Sequence, residues 1–170
     1  MIKKVKGALL FAHKGISGPA VLDASLYWDK GQISIDFVPN IDIKSIKKSK
    51  KKISNLLGLS SRLAKSLLLE LDLDDKSANQ MSSIEWKNLE VLKSYTFAPA
   101  GTFGYSKAEV TKGGVSTDEI NAITMMSKKV ENLYFIGEVL DVTGELGGYN
   151  FQWAFSTAFV CAEAIKVNKN

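Results

Sequence analysis

Hydrophobic and polar residues near the amino terminus follow patterns typical of short strands around one helix. Residues 5–12 are mostly apolar and predict a short buried strand. A helix is predicted over residues 20–28, with Ser17 as its N-cap and Pro19 in its first turn. Apolar and polar side chains alternate over residues 32–38, which predicts a half-buried strand.

The next region carries apolar side chains at helical spacing. A helix capped by Asp42 is predicted to reach residue 57, with lysines on its remaining face. A second helix is predicted over residues 60–71 and a third over residues 83–93. Together these segments predict a small helical layer.

The pattern changes again from residue 95. Two short strands are predicted, at residues 95–100 and 107–111, and residues 133–136 predict a central strand of an α/β sheet. A glycine-rich loop over residues 137–148 then leads into a long helix, residues 148–166. Its inner face is predicted to hold Phe151, Ala154, Phe155, Ala158, Phe159, Ala162 and Ile165. The fold class is therefore expected to be α+β or α/β.

Composition places the chain among globular proteins. Its 170 residues are 45% hydrophobic and 24% charged, which excludes global disorder. The lone Cys161 cannot form an internal disulfide, a metal cluster or a redox pair, and we interpret it as a packed thiol. Since neither a signal peptide nor a membrane-spanning run is recognisable, we expect a cytoplasmic location without a membrane partner.

The strongest candidate for chemistry is the segment that links the predicted strand at residues 133–136 to the last helix. Its glycines allow a ligand to approach the backbone, and the helix that follows begins with unpaired N–H groups. Such a helix end favours anionic or carbonyl oxygens. Glu138 and Asp141 could accept hydrogen bonds from ligand hydroxyls, and Asn150 and Gln152 add further polar groups.

Four segments together resemble a known family. Residues 7–22, 108–115, 124–128 and 133–152 are similar to the carboxy-terminal part of bacterial FAD-dependent flavoproteins of the two-dinucleotide-binding class. This family includes aminoacetone-oxidase-like and bile-acid-reductase-like oxidoreductases. The resemblance extends over almost the whole chain and is carried above all by the ordered core Gly-Glu, Leu-Asp and Gly-Gly-Tyr-Asn-Phe-Gln.

The resemblance implies a domain organisation and a set of cofactor contacts. Residues 1–95 would be the end of a β-rich insert domain with its helical layer, and residues 96–170 the strand-loop-helix end of a Rossmann-like FAD domain. The cofactor would be FAD, with NAD(P)H as a further co-substrate beside a small-molecule substrate. The implied FAD contacts are Gly137, Glu138, Val139, Asp141, Gly147, Gly148, Tyr149, Asn150 and Phe151.

The chain departs from the family in one respect that bears on activity. Members carry a G-x-G-x-x-G fingerprint for the FAD pyrophosphate, and this sequence has none. We therefore expect the carboxy-terminal portion of an oxidoreductase that is inactive alone, and whose partner is an amino-terminal FAD-binding half or a second copy. The alternative is a non-catalytic binding or assembly module. No residue qualifies as an acid-base catalyst, and no metal site is expected.

Two other features have weaker interpretations. The lysine run from Lys44 to Lys52 is interpreted as the solvated face of a helix, with non-specific phosphate contacts as the alternative. Sequence-specific nucleic-acid binding is not expected, because Arg62 is the sole arginine. His13, the sole histidine, is interpreted as a structural hydrogen-bonding residue at a strand end.

Overall fold

The computed structural model describes residues 3–167, which fall into two compact units. The first unit combines Met1–Asp29 with Gly101–Asn170, and the second is Lys30–Ala100. Four strands and five α-helices are found in the described residues. In chain order they are β1 (Leu10–Ala12), β2 (Gly15–Ser17), α1 (Pro19–Ser25), β3 (Ile33–Ile35), α2 (Ile43–Ile46), α3 (Ser61–Glu70), α4 (Ser83–Leu89), β4 (Tyr95–Phe97) and α5 (Tyr149–Val167).

The second unit packs short helices beside a two-stranded sheet. β3 and β4 are antiparallel, with Ile33 opposite Phe97 and Ile35 opposite Tyr95. The Ser82 hydroxyl and the Glu85 carboxylate form a reciprocal capping box that starts α4. The core of this unit consists of Val38, Ile43, Ile53, Leu57, Ala64, Leu67, Leu68, Leu73, Ala78, Trp86, Leu89 and Leu92.

Most predicted elements of this unit are confirmed, with shorter bounds. The strands at residues 32–38 and 95–100 appear as β3 and β4, and the helix at residues 60–71 is α3. The helix at residues 83–93 is α4 continued by a 3-10 turn, Glu90–Lys93.

The predicted helix from Asp42 to residue 57 is wrong. Asp42 does cap a helix, accepting a hydrogen bond from the N–H of Lys44, but α2 ends at Ile46. No apolar residue lies between Ile46 and Ile53, so a helix there would bury nothing. The backbone instead pairs with residues 76–79, and Ile53 becomes fully buried.

The first unit contains a hairpin, α1 and the long α5. β1 and β2 are antiparallel, and His13 lies in the turn between them. The strand predicted at residues 5–12 is shorter than expected and is not buried, because Leu10 and Phe11 are both exposed. Gly18, rather than the predicted Ser17, is the N-cap of α1.

Two strands predicted for the first unit are also wrong. Residues 107–111 follow a 3-10 turn, Tyr105–Lys107, and form no strand. Residues 133–136 form an isolated antiparallel bridge, Met126 with Tyr134, rather than a central strand of a parallel sheet. In the described residues both sheets are two-stranded and antiparallel, so this segment lacks the neighbouring strands that a central position requires.

α5 is confirmed as a long helix, and Ile165 of its predicted inner face packs against the core, but the phenylalanines predicted for that face do not. The packed side carries Trp153, Thr157 and Cys161, and Cys161 is buried as predicted. Phe151, Phe155 and Phe159 are instead 74%, 71% and 67% exposed. Two residues of helix correspond to about 200°, so the phenylalanines lie nearly opposite the packed side.

The mixed α and β character is confirmed by the described residues. The division into units differs from the predicted break after residue 95, because Met1–Asp29 lies with Gly101–Asn170. The correspondence of either unit to an insert or FAD domain stays a prediction. Within residues 3–167, no helix has both the length and the apolar character needed to cross a membrane.

Candidate functional site

The glycine-rich loop begins on a residue held by α5. Gly137 is buried, and its N–H donates to Oγ1 of Thr157 at 2.9 Å while its carbonyl accepts from Nε1 of Trp153 at 3.1 Å. Its φ of 69° lies in the left-handed region, which favours glycine. The start of the loop is therefore anchored to α5 through both of its backbone groups.

The next residues are held by the chain around Val115. The N–H of Val115 donates to the carbonyl of Val139 at 2.8 Å, and the N–H of Asp141 donates to the carbonyl of Val115 at 2.9 Å. Leu140, between Val139 and Asp141, is buried. Successive side chains of an extended segment point to opposite sides, so those of Val139 and Asp141 are exposed. A Cβ on Gly114 would lie 2.5 Å from the Val139 carbonyl oxygen, so this approach requires glycine.

This arrangement leaves two carboxylates on the surface. Glu138 and Asp141 are exposed, and neither forms an ion pair or a side-chain hydrogen bond with a described residue. Both carboxylates are therefore available to accept hydrogen bonds from a ligand.

The end of the loop is tied to the first turn of α5. Oδ1 of Asn150 accepts from the N–H of Gly144 at 2.8 Å, and its Nδ2 donates to the Gly144 carbonyl at 3.0 Å. Nε2 of Gln152 donates to Oγ of Ser156. Both side-chain amides therefore have protein partners, and their contact with a ligand stays a prediction.

α1 and the residues after it hold the middle of the loop. Oδ1 of Asp23 accepts from the N–H of Leu146 at 2.7 Å. Glu145 accepts from the Tyr27 hydroxyl at 2.7 Å and pairs with Nζ of Lys3 at 3.1 Å. The Tyr27 hydrogen bond and Lys3 lower the pKa of Glu145, and Glu145 and Tyr27 raise the pKa of Lys3.

Sequence reasoning missed these holding residues. Asp23 and Tyr27 lie more than a hundred residues before their partners, and no local pattern links such positions. Thr157 had a detectable signal, a hydroxyl one turn after Trp153 and one turn before Cys161. Such a residue is a candidate for a buried hydrogen bond.

The first turn of α5 offers unpaired backbone donors. The N–H groups of Tyr149, Asn150 and Phe151 have no acceptor among the described residues, and the first helical bond joins the N–H of Gln152 to the Gly148 carbonyl. Gly147 and Gly148 have φ of 122° and 89°, and nothing lies within 4 Å of a Cβ placed on Gly148. These donors thus have no protein partner among the described residues and could bind a ligand oxygen.

Much of the loop is exposed, including Glu138, Val139, Asp141, Gly147 and Gly148, whereas residues 142–146 are half-buried. A shallow concavity of about 410 Å³ is found elsewhere in the first unit, lined by Asn121, Met126, Ser127, Lys128, Lys129 and Glu131. In the described part of the chain, no group of three or more His, Cys, Asp or Glu side chains could hold a metal ion. The role of the predicted contacts in a ligand site stays a prediction.

Donors and carboxylates of this kind are suited to a ligand that carries hydroxyl groups and electron-rich oxygens. Residues 27–164 match the family model described as HI0933-like protein Rossmann domain. The chain belongs to this family of FAD-dependent flavoproteins, and the resemblance predicted from its motifs is confirmed.

The chain is similar to three proteins whose names state an activity. The chain is 42% identical over 172 residues to the ribosomal RNA dihydrouridine synthase of Escherichia coli and 45% identical over 173 residues to that of Haemophilus influenzae. It is 29% identical over 178 residues to the 3-dehydro-bile acid delta(4,6)-reductase of Clostridium scindens. These alignments cover 95%, 96% and 93% of this chain but 43%, 43% and 44% of the relatives.

The residues of the loop fit part of a flavin nucleotide. Exposed carboxylates suit ribityl or ribose hydroxyls, and unpaired N–H groups suit phosphate or flavin carbonyl oxygens. Glu138, Asp141, Gly147, Gly148 and Phe151 are exposed, so a buried cofactor would need further walls around them. The fit is therefore to one side of the cofactor.

Proposed function

We propose that this chain forms the carboxy-terminal side of the FAD site in a flavin-dependent reductase, and that the reductase acts on a pyrimidine of ribosomal RNA. The observation that carries the proposal is that one segment joins the exposed Glu138 and Asp141 to the unpaired N–H groups of the first turn of α5. FAD, when bound, supplies the redox chemistry by passing two electrons, as hydride, from NAD(P)H to the substrate.

The residues of this chain would bind and orient that group. Glu138 and Asp141 would accept hydrogen bonds from its ribityl or ribose hydroxyls. The N–H groups of Tyr149, Asn150 and Phe151 would donate to its carbonyl oxygens, where they and the helix dipole would stabilise negative charge on the reduced form. Gly147 and Gly148 would let the ring edge approach the backbone.

The substrate class is inferred from the relatives. Two relatives at 42% and 45% identity are named for dihydrouridine formation in ribosomal RNA, whereas the bile-acid reductase is 29% identical. Both chemistries add hydrogen across a conjugated double bond. The higher identity favours the RNA pyrimidine.

We further propose that the partner of this chain is the remaining part of the family's Rossmann domain. Fifteen of the eighteen exposed large apolar side chains in residues 3–167 lie in the first unit. α5 carries large apolar side chains on more than one side, and such a helix normally lies between two layers, yet its phenylalanine side is exposed. A second layer over this side would bury it.

The bridge at Tyr134 supports the same partner. The N–H of Phe135 donates to the Met125 carbonyl at 3.1 Å, and the N–H of Ser127 donates to the Leu133 carbonyl at 2.7 Å. The N–H and carbonyl of Tyr134 therefore point to the other edge, where no described residue binds them. This edge could accept a further strand.

Reconstitution tests the proposal. The chain is co-expressed with the part of the Escherichia coli relative that lies outside the match, and the complex is examined for bound flavin that bleaches with NADH or NADPH. We expect a yellow complex, and we expect loss of bound flavin in Glu138→Ala/Asp141→Ala but not in Glu109→Ala/Glu131→Ala, an exposed control pair. A colourless complex would overturn the flavin assignment.

A second assay tests the substrate class. The yellow complex, NADPH and ribosomal RNA are incubated together, and dihydrouridine is measured by mass spectrometry of the nucleosides. Reduction of an unsaturated 3-oxo steroid without any gain of dihydrouridine would refute the RNA proposal and leave the flavin proposal intact.

The second candidate function is the non-catalytic assembly module. It is favoured by the same exposed side of α5, which could pair with a second copy of the chain. Tight dimerisation of the chain that persists when the co-expressed half is present would support it.

A further inference from the structure

The lysine run of the second unit is not the outer face of a helix. Six of the nine residues from Lys44 to Lys52 are lysine, and α2 ends at Ile46. Residues 51–53 instead pair with residues 76–78, through the N–H of Ile53 to the Lys76 carbonyl and the N–H of Ala78 to the Lys51 carbonyl, both at 3.0 Å. The interpretation as a solvated helix face is therefore wrong.

These lysines are not neutralised by neighbouring carboxylates. Lys44, Lys48, Lys50, Lys51 and Lys52 are exposed, and none of them lies within 4.0 Å of a carboxylate of the described residues. Lys47 is half-buried and lies over the Trp86 ring at 5.3 Å.

The surrounding sequence strengthens the local charge. No acidic residue occurs between Asp42 and Glu70, whereas Arg62 and Lys65 add two exposed cations on α3. Two carboxylates of the second unit are already engaged. Asp75 accepts from the N–H and hydroxyl of Ser54, and Glu85 pairs with Lys76.

We infer that this lysine surface, defined as Lys44, Lys48, Lys50, Lys51 and Lys52, binds the phosphate backbone of RNA. The inference rests on the proposed function, since it assigns where the RNA substrate would be held. Crowded ammonium groups repel one another, and a polyanion relieves that repulsion while it releases counterions.

The type of side chain indicates what the contacts do. Ammonium groups on flexible stems act as point charges toward phosphates, whereas base readout favours the planar fork of arginine. The lysine surface therefore positions RNA without reading its sequence.

An acidic membrane is the competing partner for such a charge. Membrane binding of a basic segment is strengthened by apolar side chains that enter the lipid. Here the isoleucines within and beside the run point inward, with Ile43 and Ile53 buried and Ile46 packed against the core. The surface offers charge without an apolar anchor, which favours RNA.

The test uses the full chain and a fluorescently labelled, uridine-rich RNA of about twenty nucleotides. Binding is measured by fluorescence anisotropy at several salt concentrations for the parent chain and for Lys48→Gln/Lys50→Gln/Lys51→Gln. We expect at least tenfold weaker binding in the triple variant, and a salt slope lower by about 2 because each lost phosphate contact removes roughly 0.7.

The matched control is Lys4→Gln/Lys6→Gln/Lys14→Gln. It removes the same charge from three exposed lysines of the first unit that form no ion pair with a described residue. We expect its affinity to stay within twofold of the parent. Equal losses in the two variants, or no RNA binding by the parent, would overturn the inference.

Two further measurements separate the possible failures. Vesicles containing phosphatidylglycerol are offered to the same proteins, and binding to vesicles but not to RNA would refute the RNA assignment. Flavin content of the reconstituted complex is measured for the lysine variant, and we expect it to be unchanged. The two measurements are independent. Loss of RNA binding with unchanged flavin content refutes only the RNA inference, and RNA binding without bound flavin refutes only the flavin proposal.

Discussion

Both polar atoms of the Asn150 side-chain amide bind the backbone of one residue, Gly144. The N–H of Gly144 donates to Oδ1 at 2.8 Å, and Nδ2 donates to the carbonyl at 3.0 Å. The first turn of α5 therefore closes the loop that precedes it, and it does so without using the backbone donors of that turn.

Asn150→Ala is expected to release this loop. It leaves two part-buried backbone groups without their partner, and such a loss costs about 1–3 kcal/mol. Urea denaturation should show the loss, and hydrogen exchange at Gly144 and Leu146 should accelerate. The control is Gln152→Ala, whose exposed bond to Ser156 should cost less than about 0.5 kcal/mol. Similar stability of the two variants would contradict this role for Asn150.

Gly114→Ala is expected to separate the chain at Val115 from the loop. The added Cβ would lie 2.5 Å from the Val139 carbonyl oxygen, so one of the two segments must move. Gly113→Ala is the control, because its φ of 99° is strained as well but no atom lies within 4 Å of the added Cβ. Thermal unfolding should show Gly114→Ala to be less stable than Gly113→Ala by about 1–3 kcal/mol. Equal unfolding temperatures would refute the close approach.

The Glu85 carboxylate is expected to make the second unit sensitive to acid. The pKa of Glu85 is lowered from 4.5 to about 2. The hydrogen bond from the Lys76 ammonium is the largest cause, and the N–H and hydroxyl of Ser82 add to it. A lowered pKa stabilises the folded state above about pH 4.5, and this contribution is lost as the pH falls toward 2. Urea unfolding at a series of pH values should show a drop over this range.

Two variants identify the source of that drop. Glu85→Gln should remove the part of the pH dependence that comes from this carboxylate, so its stability should fall less steeply between pH 4.5 and 2. Glu90→Gln removes an exposed carboxylate that has no ion pair with a described residue, and it should keep the parent's dependence. An unchanged slope in Glu85→Gln would show that other groups cause the drop.

The exposed side of α5 is expected to make the isolated chain self-associate. Replacing Phe155 and Phe159 by serine removes apolar surface from that side without touching the packed Trp153, Thr157 and Cys161. Sedimentation should show less association, and binding of an apolar dye should fall, while the free energy of unfolding changes little. Trp153→Ser is the contrasting variant and should destabilise the fold. Strong destabilisation by the phenylalanine changes would show that this side is packed within the chain.

The helices that sequence predicted correctly are those whose apolar residues recur without interruption. α3 and α4 carry leucines and a tryptophan at helical spacing, and α5 is apolar along its length. The prediction of a helix beyond Ile46 is wrong for the converse reason, because the lysine run that follows has no apolar side chain to bury. The prediction of a central strand at residues 133–136 is wrong because such a strand requires neighbouring strands from elsewhere in the fold.

The sequence by itself determined the family, through short motifs whose glycines and acids have to stand at set positions along the chain. It also placed the candidate ligand contacts between Gly137 and Phe151. Only the tertiary structure decided what holds that segment in place, because the groups involved are far apart in sequence. The carboxylate of Asp23 accepts from the N–H of Leu146, 123 residues later in the chain. The hydroxyl of Thr157 accepts from the N–H of Gly137, 20 residues earlier. Which side of α5 is packed was decided in the same way, since a helix with large apolar residues on more than one side is oriented by its contacts rather than by its own pattern.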